Sequence, residues 1–183
     1  MGNQQERLKL RTAWLAGIIE GEGWISLCKV MVQQKKEKKT QSYTPNIGVC
    51  NSDVIIMNEV ENILCEYGIR YRKQTRDRSK EKSGFGSGVR KNIYELSIAT
   101  HDNVIKIIDI LYPYFIGAKK HKLESLKEYI LLRKSRPKSG INSKHGVDEK
   151  KIYDRMYSYK GKSQFKNPQR LHAKSLVTSQ AMI

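Results

Sequence analysis

The chain sets 35 lysines and arginines against 18 acids in 183 residues, a net charge of +17. This imbalance calls for a polyanionic partner, nucleic acid ahead of an anionic membrane surface, and the length allows one domain with a tail or at most two small domains. No apolar run approaches a membrane span, the N-terminus lacks the apolar core of a signal peptide, and Cys28, Cys50 and Cys65 form no C-x-x-C pair. The expectation is therefore a soluble intracellular protein with neither a zinc site nor a disulfide framework.

The first predicted element is a helix from about Glu6 to Gly21. Small residues recur in it at Ala13, Gly17 and Gly21, four apart, and so share one face. Glycine inside a helix costs roughly 1 kcal/mol against alanine, so two on one face imply that another backbone comes very close. Glu20 and Glu22 then stand at the C-terminal end, where the helix dipole disfavours anions. A nearby cation would resolve that conflict, which makes this end a candidate metal site.

Trp24 to about Val32 reads as a strand, with Ile25 and Leu27 on one face and Trp24, Ser26 and Cys28 on the other. A cationic loop (Gln33 to Lys39) leads to a second strand, about Tyr43 to Asn51. Its Ile47 and Val49 face the core, and Asn46, Gly48 and Cys50 face away. Asn51 or Ser52 is the expected cap of a helix whose stripe is Ile56, Val60, Ile63 and Leu64 and whose stop is Gly68. A third strand is expected from Ile69 to about Arg76, followed by a Gly-, Ser- and Lys-rich connection to Arg90. The fourth strand, Asn92 to Thr100, places Tyr94, Leu96 and Ile98 inward and Ile93, Glu95 and Ser97 outward. Two helices follow: one capped by His101 or Asp102 and closed by Pro113, the other from about Lys119 to Arg133. This order makes an α+β domain with one antiparallel sheet.

From Ser135 to Ile183 there are eleven basic residues against three acids. A short helix is expected there from about Asp148 to Tyr159, with Ile152, Met156 and Tyr159 available to pack. Two readings of this extension stand open, a disordered solubilising tail and an arm that grips phosphates.

The run Leu15-Ala16-Gly17-Ile18-Ile19-Glu20-Gly21-Glu22-Gly23 resembles the signature of the LAGLIDADG homing endonucleases, with Glu in place of Asp at both acidic positions. An ordinary amphipathic helix followed by a turn would leave the glycines and the acids unexplained. The resemblance covers about residues 6–134. It implies the αββαββα fold, whose four-stranded antiparallel sheet forms a saddle in the DNA major groove, with residues 135–183 as a basic extension. The motif occurs once, which implies a homodimer across the face of Ala13, Gly17 and Gly21. Two-fold symmetry in turn implies a long, near-palindromic double-stranded target.

By the same resemblance, Glu22 is the catalytic metal ligand, the Gly21 carbonyl adds a second ligand, and the ion is Mg²⁺, with Mn²⁺ able to substitute. Glu20, the first acid, has a structural role. Asn51 either orders water beside the metal or caps the following helix. Lys119, or Lys120 if the alignment slips by one, lies near the scissile phosphate. The outward strand residues Trp24, Ser26, Cys28, Asn46, Gly48, Lys73, Glu95 and Ser97 are the candidates for reading bases. Lys35, Lys36, Arg76 and Arg90, with Arg78 and Lys91, are the candidates for holding phosphates. The implied activity is metal-dependent hydrolysis of DNA phosphodiester bonds at a specific site, wherever the host genome lies. The competing reading is a non-cleaving binder of the same fold, either a DNA-binding regulator or an RNA-splicing maturase, for which intron RNA would be the partner. His101, His121, His145 and His172 show no metal-ligand spacing.

Overall fold

The computed structural model describes residues 2–33, 39–78, 91–135 and 143–158. Its elements are α1 (Gly2–Glu22), β1 (Gly23–Gln33), β2 (Lys39–Asn51), α2 (Val54–Glu66), β3 (Arg72–Arg76), β4 (Ile93–Ile98), α3 (His101–Leu111), α4 (Ala118–Lys134) and α5 (Ser143–Ser158). A single 3-10 turn, Tyr112–Tyr114, follows α3, with Pro113 inside it. The four strands form one antiparallel sheet in the order β1-β2-β4-β3. Helices cover one face of the sheet. No helix among the described residues is long and apolar enough to cross a membrane.

The alternation expected for the strands sets the layers. Ile25 and Leu27 of β1, Ile47 and Val49 of β2, and Leu96 and Ile98 of β4 are buried under the helices. Leu15, Ala16 and Ile19 of α1 pack into the same core, as do Val104, Ile107, Ile108 and Leu111 of α3 and Leu123, Leu126, Tyr129 and Ile130 of α4. The Tyr129 hydroxyl donates to the Tyr43 carbonyl, tying α4 to β2.

Two details of α2 differ from the expectation. Its N-cap is Asp53, whose Oδ1 accepts from the Ile55 N–H at 2.8 Å. The cap is one residue later than Ser52 and two later than Asn51, and the buried stripe is Met57, Val60, Ile63 and Leu64, with Ile56 only half-buried. Gly68 ends the helix as expected. Its φ of +59° is left-handed backbone, and the N–H groups of Gly68 and Ile69 return to the carbonyls of Cys65 and Leu64.

The helix expected from about Asp148 to Tyr159 is present as α5, which begins earlier, at Ser143, and ends at Ser158. Ile152 and Met156 are buried in the common core, Tyr153 packs against Tyr43, and buried Glu149 pairs with Arg133 of α4 at 3.1 Å. The Tyr157 hydroxyl meets both the N–H and the carbonyl of Leu27 on β1. That strand is an edge of the sheet, where open backbone groups invite unwanted pairing. Tyr159, expected to pack, lies outside the described residues, as does the rest of the chain beyond it. If α5 is part of the core, Ile152→Ala lowers unfolding stability by about 2–5 kcal/mol, the usual range for a buried Ile-to-Ala truncation. Urea denaturation followed by circular dichroism measures this, and an unchanged midpoint would reduce α5 to a surface attachment.

Candidate active site and nucleic-acid interface

The helix α1 runs to Glu22 and gives way to β1 at Gly23 with no connecting loop. A Cβ at Gly23 would stand 2.7 Å from the Gly48 carbonyl oxygen and 2.8 Å from both the Cα and the carbonyl oxygen of Ile19. Only glycine fits there. The carbonyls that a helix end leaves without intrahelical partners are met from outside. The ammonium of Lys119, in the first turn of α4, donates to the carbonyls of Ile19 at 2.7 Å, Gly23 at 2.9 Å and Glu20. Burial of this half-buried lysine pushes its pKa down, with Glu20 opposing and Lys122 adding to the shift. Glu20 itself lies against Gly117, the N-cap residue of α4, where a Cβ would come within 3.3 Å of its Oε1. The unfavourable end of one helix dipole thus places Glu20 at the favourable end of another.

Glu22 is exposed and has no such second helix. It lines a cleft of about 610 Å³ together with Cys50, Asn51, Ser52, Arg78, Lys91 and Ile93. The Asn51 Nδ2 donates to Glu22 Oε2, and Asn51 Oδ1 accepts from the Asp53 N–H at 2.8 Å. Asn51 therefore fixes the Glu22 carboxylate from a turn locked onto α2. Burial, followed by the charges of Glu95 and Glu22, pushes the Cys50 thiol up. Among the described residues no group of three or more His, Cys, Asp or Glu side chains gathers to hold a metal. What one chain offers is the Glu22 carboxylate and the neighbouring Gly21 carbonyl, which is not among the three that Lys119 takes. That donor set suits Mg²⁺, which keeps several waters and uses one or two carboxylates plus phosphate oxygens.

The small-residue face of α1 is open. A Cβ at Gly17 or Gly21 would meet nothing within 4 Å, and Leu10 (68 % exposed) and Trp14 (37 %) extend the same face in apolar material. The glycines serve no contact within the described chain.

The face of the sheet away from the helices carries rows fixed by the register. Trp24 stands opposite Gly48, Ser26 opposite Asn46 and Cys28 opposite Thr44. Gly48 pairs with Ser97 and Cys50 with Glu95, while Arg72, Gln74 and Arg76 stand opposite Ser97, Glu95 and Ile93. Two of the expected base-reading residues are corrected by this geometry. Gly48 is on the outer face but buried, because the Trp24 indole lies over it; a Cβ there would be 2.3 Å from the ring and 2.6 Å from the Leu96 carbonyl oxygen. Lys73 stands opposite buried Leu96 on the helix-covered face and is bound to Glu61 of α2 at 2.6 Å. Arg72 and Gln74 occupy the outer positions instead. Lys35, Lys36 and Arg90 lie outside the described residues.

No protein-family profile and no curated protein sequence matches the chain. Solved structures do match. The homing endonuclease I-CvuI, in complex with its target in the presence of Ca, is 16 % identical with a TM-score of 0.59, covering 83 % of each chain. The archaeal intron-encoded homing endonuclease I-Vdi141I, complexed with DNA, is 17 % identical with a TM-score of 0.59, over 81 % of this chain and 83 % of that one. The LAGLIDADG homing endonuclease I-SmaMI, bound to cleaved DNA, is 16 % identical with a TM-score of 0.56, over 79 % of this chain and 43 % of that one. The fold is that of the LAGLIDADG homing endonucleases.

Within the LAGLIDADG fold, the outer row of β3 is the part that sequence pattern missed. Arg70-Tyr71-Arg72-Lys73 has no apolar alternation, and only pairing with β4 assigns its faces. The one usable signal was Glu61, an acid on α2 placed to draw a lysine inward. The Trp24–Gly48 contact gives a direct test of the saddle geometry. Gly48→Ala should lower stability by about 1–3 kcal/mol through overpacking and alter Trp24 fluorescence. An unchanged melt and spectrum would mean that the indole does not lie on Gly48.

Proposed function

We propose that this protein is a homodimeric, metal-dependent, site-specific DNA endonuclease of homing type. The observation that carries the reading is the position of Glu22, an exposed carboxylate at a helix C-terminus that shares a cleft with Arg78 and Lys91. A protein that only binds nucleic acid gains nothing from an anion among its phosphate contacts. A site that recruits a cation to phosphate needs that anion. The LAGLIDADG fold and solved neighbours complexed with DNA support the reading.

Two copies would meet along the open face of Leu10, Ala13, Trp14, Gly17 and Gly21, where the absence of side chains lets helix backbones approach. That contact sets the two Glu22 side chains near one symmetry axis, each oriented by its Asn51. Glu22 and the Gly21 carbonyl would hold Mg²⁺, or Mn²⁺ in its place. An ion held there would supply an activated water and neutralise charge on the phosphate and leaving oxygen. The polar outer rows of the two sheets would follow successive major grooves of a near-palindromic duplex. Trp24, Ser26, Cys28, Asn46, Glu95 and Ser97 face the bases there, with Arg72 and Gln74 added, while Arg76 holds backbone phosphate.

Two experiments test this. Targets selected from a randomised duplex library are incubated with Mg²⁺ or Mn²⁺. Glu22→Gln should lose cleavage by at least about 100-fold, the scale expected when a charge-stabilising group is removed, while binding as tightly as wild type or tighter. A variant that cuts at the wild-type rate would sink the metal assignment. A wild type that binds selected duplex but never cuts would leave the non-cleaving binder as the surviving account, and preference for structured intron RNA would favour the maturase form of it. In the second experiment, Gly17→Leu should fold normally, since none of the described residues occupies the space beside Gly17, yet sediment as a monomer in analytical ultracentrifugation. An undisturbed dimer would place the subunit contact elsewhere.

A further inference from the structure

The resemblance gives the cation at the scissile phosphate to Lys119, but the geometry places that residue's functional group elsewhere. An ammonium has three N–H donors and no acceptor. Those of Lys119 have three carbonyl partners, on Ile19, Glu20 and Gly23. Reaching a phosphate would mean abandoning the clamp that holds the turn beside Glu22. The cations that share the cleft with Glu22 are Arg78 and Lys91.

Their position follows from the hairpin register. The last bridged pair of β3 and β4 is Arg76 with Ile93, and Arg78 and Lys91 each lie two residues beyond it, where they line the cleft with Glu22. The Arg78 N–H, 3.4 Å from Asn92 Oδ1, keeps the two chains together there. Two cations beside one exposed carboxylate make the cleft fit to receive a phosphate group.

We propose that Lys91 and Arg78 are the residues that contact the scissile phosphate, while Lys119 is a positioning residue that clamps the end of α1 and so fixes Glu22. This inference rests on the endonuclease reading but is tested through binding as well as cleavage. In a selected target duplex, each central phosphate is replaced in turn by an uncharged methylphosphonate, and affinity is measured by fluorescence anisotropy in EDTA. Wild type should lose about tenfold at one central phosphate per strand, the scale of a single charge-assisted contact. Lys91→Gln and Arg78→Gln should each lower the salt slope by about one and bind the charged and neutral duplexes nearly alike. Lys91→Arg should restore the discrimination. Lys119→Met should keep it while lowering the melting temperature, and Lys119→Arg serves the same purpose if the Met variant does not fold. With Mg²⁺, the single-turnover rate of Lys91→Gln should fall by about 100-fold, more than its affinity falls. Full discrimination in a Lys91→Gln/Arg78→Gln double variant, or its loss in a folded Lys119 variant, overturns the proposal. Should no selected duplex be cut, the endonuclease reading fails separately, and the methylphosphonate series still decides which cation meets the central phosphate.

Discussion

The junction between α1 and β1 is the constraint on which the other parts depend. A helix that becomes a strand without a loop leaves no room for a side chain at Gly23 and leaves its last carbonyls facing a third element. Lys119 of α4 answers that demand with one ammonium on three carbonyls. The contact is long in sequence, about a hundred residues, and it ties the last turn of α1 to the start of α4. Glu20 lies beside Gly117, the N-cap of that same α4, where the helix dipole favours an anion. Glu22 inherits its place from this arrangement. It stands one residue before the bottleneck, with a backbone that cannot swing and a carboxylate held by Asn51.

Much of this was legible in the sequence because it is periodic or stereochemically singular. The strand faces of β1, β2 and β4 follow from Ile25/Leu27, Ile47/Val49 and Leu96/Ile98, and Gly68 marks a left-handed stop that few other residues tolerate. The open stripe of α1 was legible as well: a Cβ at Gly17 or Gly21 would meet nothing within 4 Å among the described residues. What escaped was whatever depends on register or on a distant partner. In β3 every residue is exposed, so burial leaves no alternation to read, and Lys73 was placed on the wrong face. Gly48 was placed on the right face, but Trp24, twenty-four residues away, closes over it. Of the two readings of Asn51, the N-cap falls instead to Asp53, and Asn51 takes a different part. Its carbonyl oxygen makes the turn that leads to Asp53, and its amide reaches Glu22. The helix α5 was legible with its Ile152 and Met156, but the packing of Tyr153 and the seat of the helix in the common core were not, because they depend on partners far away in the chain.

Net charge states that a polyanion is wanted but not where it would lie, and the distribution of ion pairs supplies the location. On the helix layer, cations meet acids: Arg11 with Glu59 and Glu66, Lys127 with Asp109, Lys134 with Asp102, Arg133 with Glu149 and Arg155 with Glu128. Most of these pairs are exposed and contribute little to stability. Their larger consequence is to neutralise the back of the sheet. On the outer face and its rim stand Arg72, Arg76, Arg78 and Lys91, with Glu22, Glu95 and, between Arg76 and Arg78, Asp77. A net positive field over a polar sheet draws in a phosphate backbone and sets its register without reading sequence. Within that field Glu95 faces outward from the middle of the saddle, opposite Gln74 and Cys50, whereas Glu22 sits at its end beside the open helix face. The fold fixes Glu22 from two sides, through the neighbouring backbone by Lys119 and through the side chain by Asn51.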